Sequence, residues 1–261
     1  SGYYATGSNN TFVGRNAGRG ANSAPYGSAT RNVAVGYEAL EKFTTGGSNV
    51  AIGAQAGVEV TSGGYHVLIG DQAGQKLTTS NYNTHVGYRA SRYNTGAYNT
   101  SLGYGALLGV NGSSTGGNNV AVGYNALTSL TTAGDNVALG MFALNATTTG
   151  TGNVAIGREA GADLTTGAYG VYIGHNAGSQ NLLGNMNVFV GFEAGREAAD
   201  SVAYSVAIGA YAGRATAVNT NLAIGYEAMK FHTTGGNNIA IGYQAMNCLL
   251  YTSPSPRDPK I

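Results

Sequence analysis

Six tyrosines stand at one phase of a cadence of about seventeen residues. Tyr37, Tyr88, Tyr104, Tyr124, Tyr226 and Tyr243 each follow a glycine directly. A phenol combines a flat apolar ring with a hydroxyl, so such a row can pack along a rim or stack on sugars and partner surfaces. Rim packing is the favoured reading; the row is also the candidate recognition surface.

Other residue types show no catalytic arrangement. His66, His85, His175 and His232 fall at four different phases, so they form no stacked metal-binding row. They read as isolated surface or interface substitutions. Glu38, Glu159, Glu193 and Glu227 share a phase with Gln55, Gln72, Gln244 and Arg89, which suggests a solvated ladder. Paired carboxylates doing acid–base work would need a cleft. Gly116-Gly117 is followed by no Gly-Lys-Ser/Thr, so no phosphate loop forms. The calcium-binding glycine-aspartate repeat is missing. No catalytic residue, cofactor or metal is expected.

The element that positions these residues is a phrase written fourteen times: Asn, aliphatic, small, aliphatic, Gly, two variable residues, Ala, as in Asn49 to Ala56. Its glycines run from Gly14 and Gly36 to Gly225 and Gly242, most of them 17 residues apart. A short fixed period marks stacked coils that contact only their neighbours. Counting from the glycine, positions −3 and −1 are aliphatic or threonine and share one strand face. The spacing predicts a strand over −4 to −1 in every coil. Alanine at +3, from Ala17 to Ala245, predicts a crowded site. Position +4 alternates between Leu or Met and Gly, with Ser91 the exception. Thr-Thr-Gly at +8 to +10, as in Thr44-Thr45-Gly46, reads as the end of a second strand and a return turn. Asparagine at −4 in eleven copies predicts an amide ladder along the stack.

Position −2 is apolar in twelve copies, with His85 and Ser101 the departures. Strands apolar on both faces are covered on both faces. The expectation is that −3 and −1 pack on their own coil and −2 on another subunit. Two aliphatic side chains contribute roughly 3–6 kcal/mol per coil, less than the entropy of ordering about 17 residues. Stacking and self-association must add the rest. Fourteen coils at 4.7–4.9 Å make a rod about 65 Å long.

Bulk composition agrees. The chain has 261 residues, 43 glycines, 10% charged residues and a net charge of +1. That charge gives nucleic acid no basic stripe to bind. No apolar run is long enough to insert in a membrane. The chain opens at Ser1 without methionine and reads as a piece of a longer protein.

The phrase Asn-Val-Ala-Ile-Gly-x-x-Ala, at Asn49 to Ala56 and Asn153 to Ala160, resembles the head repeats of trimeric autotransporter adhesins. The longer cadence, with Thr-Thr-Gly and Gly-Asn-Asn between phrases, resembles phage tail-fibre shaft repeats. The likeness spans residues 10–247. It implies an all-β, left-handed parallel β-roll, a β-solenoid of about fourteen coils intertwined as a homotrimer. It further implies a non-enzymatic structural or adhesive fibre segment on a virion tail or bacterial surface. The partners would be two further copies of the chain and a host cell-surface glycan or protein receptor. Residues 1–9 read as a partial first coil and 10–247 as the repeat β-roll. Residues 248–261, which hold the only cysteine and three of four prolines, resemble a translated sequencing adapter: a non-native, disordered tail on a metagenomic fragment. Two alternatives remain, an ice-binding β-solenoid using its threonines and a left-handed β-helix acyltransferase. A period of 17 is no multiple of the transferase hexad. Insertions near 20–30 and 108–114 are candidate specificity loops.

Overall fold

The computed structural model describes residues 1–21, 27–232 and 234–247. The adapter-like segment 248–261 and residues 22–26 of the first insertion lie outside them. Among the described residues there are fourteen three-residue strands and no helix, from β1 (Thr11–Val13) to β14 (Ile239–Ile241). They form one parallel sheet in strict chain order. The register is uniform: −3 faces −3, −2 faces −2 and −1 faces −1, as in Val50↔Val67, Ala51↔Leu68 and Ile52↔Ile69. Each coil contributes a single strand over −3 to −1. No second strand forms at the threonines, which instead enter turns. There the chain turns tightly, with the Thr61 and Gly63 N–H groups both donating to the Thr78 carbonyl at 2.9 and 3.1 Å, and Thr61, Thr131 and Thr165 each add an Oγ1 bond to a carbonyl of the next coil at 2.9–3.2 Å.

The glycine column fixes the stacking. Every one of the fourteen has φ between +123° and +140°, a region closed to other L-residues. A Cβ on Gly36 would also stand 2.5 Å from the Gly53 carbonyl oxygen. The strand can leave the sheet and the coils can approach only with hydrogen at this site.

The two strand faces are reversed from expectation. Position −2 points into the lumen of its own coil and is buried in every strand from β2 to β14; Phe12 alone is half-buried. Positions −3 and −1 point outward and none is buried. Ile52, Ile156 and Ile208 are each 38–39% exposed. The reason is volume. The lumen also receives the +3 alanines, thirteen of which are wholly buried, together with the +4 side chains, so little room remains for a strand residue. Where −2 is large, +4 is glycine: a Cβ on Gly178 would come within 2.4 Å of Tyr172, and one on Gly195 within 2.4 Å of Phe189. Where +4 is Leu40, Leu127 or Leu144, the same coil has alanine at −2.

The amide ladder forms with a particular pattern. The Asn136 backbone N–H donates to Asn119 Oδ1 at 3.0 Å, and the Asn153 N–H to Asn136 Oδ1 at 2.9 Å. Most side-chain nitrogens cross the coil to a turn carbonyl, as Asn136 does to Gly150 at 2.9 Å, while Asn221 and Asn238 turn back to Val218 and Gly235. One residue type thus satisfies the backbone of its own coil and of the next, which buried polar groups require.

Candidate functional site

The six candidate tyrosines lie along one outer corner, where the chain leaves the strand through its glycine. All are partly exposed, from 39% at Tyr88 to 72% at Tyr243. Tyr88, Tyr104 and Tyr124 form one stack, with ring centroids 5.2 and 5.1 Å apart. Tyr226 and Tyr243 form a second, 5.3 Å apart. Tyr37 belongs to neither stack. Its ring lies 5.7 Å from the Arg15 guanidinium. The Glu38 carboxylate beside its hydroxyl raises the Tyr37 phenol above its usual range, and the same hydrogen bond lowers Glu38. His175 and Phe192 continue the corner as another stacked pair.

This geometry limits what the row can bind. Rings stacked at about one coil spacing cover one another's faces. They present edges and hydroxyls to solvent, and only a terminal ring keeps a free face. Sugar stacking between rings is thereby closed along most of the row.

A second tyrosine ladder escaped the sequence reading. Tyr65, Tyr82, Tyr98, Tyr169 and Tyr204 all stand five residues before the glycine and are 50–62% exposed. Tyr65 stacks on Tyr82 at 5.0 Å, and Tyr82 on Tyr98 at 5.3 Å. All five have φ between +57° and +61°. Bulky residues rarely adopt this left-handed conformation, and asparagine takes it more readily. Asn9, Asn118 and Asn237 occupy the same phase. The shared phase of the five tyrosines was the signal available in the sequence.

Three of the four histidines require a correction: His175 lies on the outer corner, but the others are not surface substitutions. His66, His85 and His232 are buried, at 1%, 0% and 0% exposure. His85 takes a −2 position inside the lumen, where its Nδ1 lies 2.8 Å from Ser101 Oγ. With buried Ser91 and Asn94 it makes a polar segment. The lumen's apolar core is divided there, into one cluster from Ala17 to Leu77 and another from Ala106 to Ala240. Burial pushes the His66 imidazole down to about 4 and His85 to about 3, so both are neutral at pH 7. Among the described residues no group of three acidic, histidine or cysteine side chains could hold a metal. Among the described residues no helix is long and apolar enough to cross a membrane.

The acidic phase is a ladder of hydrogen bonds between coils. Gln55 Nε2 donates to Glu38 Oε2 at 2.9 Å and Gln244 Nε2 to Glu227 Oε2 at 2.8 Å. Glu193 instead binds Arg196 and Arg214 at 2.9 and 3.2 Å. These carboxylates are spent on the scaffold.

The two lengthened coils border grooves. The second, with Asn111 to Ser114, flanks a groove of about 320 Å³ beside Lys76 and Tyr93. Near the first, a polar groove of about 360 Å³ runs from Ser28 to Asn81. No family model, curated protein or solved structure matches the chain.

Proposed function

We propose that this chain is a non-enzymatic structural and adhesive segment of a fibre, a phage tail-fibre shaft or a cell-surface adhesin head. It would work outside the cell as a parallel, left-handed homotrimer that presents a receptor-binding part. One observation supports this above the others. The outer face of the sheet is a continuous strip of Val, Ile, Leu and Thr at −3 and −1 over all fourteen strands, every one of them half-buried or exposed and none fully covered. Two positions across by fourteen coils long, the strip covers roughly 450 Å². That is the size of the largest apolar patch on an ordinary monomer, which is often functional. A parallel copy of the same sheet is the simplest cover, because its repeat matches coil for coil. The repeat resemblance favours three copies.

The test is sedimentation equilibrium of the purified segment. The expected mass is three times the 26.4 kDa chain, and Ile52→Asp with Ile156→Asp should release monomers. A monodisperse, folded monomer would overturn the reading. On a longer gene, a fibre chaperone domain would favour the virus, and a membrane β-barrel the bacterium.

A further inference from the structure

The groove between Ser28 and Asn81 is where a hydroxyl row that continues along the rod through Thr79, Thr132, Thr149 and Thr166 lies opposite a guanidinium and the end of a tyrosine stack. One wall is a row of hydroxyls, Ser28, Thr45 and Ser62, one per coil and all exposed. Among the described residues none of the three makes a side-chain hydrogen bond. Successive hydroxyls stand about one coil apart, 4.7–4.9 Å, close to the span of one sugar ring. The opposite wall carries Arg31 and Tyr65, which share a phase and flank the small Ser48. Arg31 is exposed and enters none of the ion pairs among the described residues.

Two features of the ladders give this groove its unfilled valences. Tyr65 ends the Tyr65–Tyr82–Tyr98 stack, so one ring face is covered by Tyr82 and the other has only Ser48 beside it. It is the one place in that stack where a ring face borders the groove. On the floor, the Gly64 N–H donates to Asn81 Oδ1 at 2.8 Å. Ala168 and Ala203 repeat this bond with Asn185 and Asn219 at the same phase. Thr30 and Gly47 precede glycines at that phase, which carry no side-chain oxygen. Among the described residues their N–H groups have no acceptor.

We propose that this groove is a binding site for a carboxylated glycan. One pyranose lies with its apolar face on Tyr65, and the hydroxyls of successive sugar units face Ser28, Thr45 and Ser62. Its carboxylate pairs with Arg31, and its ring or hydroxyl oxygens accept from the Thr30 and Gly47 amides. Each group supplies what the groove lacks: acceptors for the amides, an anion for the guanidinium and a C–H face for the exposed ring. A volume near 360 Å³ admits two or three sugar units and lies in the range of small-ligand sites. The site rests on the adhesive reading of the rod and assigns it a ligand.

The test uses isothermal titration of the whole chain with tetragalacturonate and sialyllactose, against methyl-esterified tetragalacturonate and lactose. At least one carboxylated sugar should bind, with at least ten-fold loss in its uncharged counterpart. Arg31→Asn and Tyr65→Asn should each weaken binding at least ten-fold. Both place asparagine where this same phase already carries it in a left-handed conformation, so the fold is retained. Tyr169→Asn, far along the ladder, should leave affinity unchanged. Equal affinity for charged and uncharged sugars, no binding of either, or variants that bind like the parent would overturn the site. Sedimentation of the same samples separates this failure from that of the trimer, since neither variant touches the outer sheet face.

Discussion

Acid should loosen this rod through its lumen, and one substitution should protect it. His66 and His85 titrate near 6.5 when unfolded and near 4 and 3 when folded, because burial disfavours the charged ring. Between those limits the unfolded chain holds more protons, so stability rises with pH. The histidine contribution is complete above about pH 6.5 and is lost progressively on acidification toward pH 3. Each pH unit costs about 1.36 kcal/mol per histidine in that window. From neutrality to about pH 4.5, His85 alone removes about 2.7 kcal/mol, and His66 a similar amount. Those sums are comparable to half the stability of an ordinary domain. His85→Ala installs the residue that most coils carry at −2, and His66→Asn the residue most carry at −4. Urea melts near pH 7 and pH 4.5, read by circular dichroism, should show His85→Ala losing about 2.7 kcal/mol less than the parent on acidification. Ser101 loses its partner at both pH values, so that cost cancels in the difference. If parent and variant lose the same stability on acidification, His85 is not held neutral and the buried polar segment is misdescribed.

Other outcomes follow from the packing. Gly36→Ala meets a backbone carbonyl at 2.5 Å and a forbidden φ, so thermal melts should show a loss above about 3 kcal/mol. Asn136→Ala strips the acceptor from the buried Asn153 N–H and should cost about 1–3 kcal/mol by the same assay. Phe189→Ala alone should cost about 3–5 kcal/mol. Adding Gly195→Leu should recover a good part of it, because Leu at +4 over Ala at −2 is the packing of Ala138 with Leu144; strictly additive losses would refute that complementarity.

The sequence made much of the fold readable and left its inside and outside ambiguous. The strands, the glycine column and the buried +3 alanines all stand where the seventeen-residue phrase puts them. Alternation states only that −2 opposes −1 and −3. With apolar residues on both faces, hydrophobicity cannot say which face is internal. Size could have said it: Tyr172 and Phe189 at −2 coincide with glycine at +4, as expected of side chains that share one small lumen. The second strand failed because two backbone amides of the threonine segment, as of Thr61 and Gly63, share one carbonyl of the next coil, so the chain turns there, a geometry that composition does not reveal. The +1 tyrosines were visible as a phase, but their mutual stacking depends on the coil rise and on which neighbours are also aromatic. The −5 ladder was equally periodic and fell outside the quoted phrase. The groove at Ser28 to Asn81 needs residues from four coils at three phases, a juxtaposition that only the winding creates.

The glycine column also makes length a discrete quantity. Each Gly Cα–H sits against the carbonyl of the next coil, so deleting Tyr124 to Gly140 would join Gly123 to Met141 and keep every remaining layer in phase. The molecule would shorten by a single step of about 4.8 Å. A gene that gains or loses whole phrases by unequal recombination can therefore adjust its reach in uniform increments, like links removed from a chain, while each surviving layer keeps the neighbours it needs.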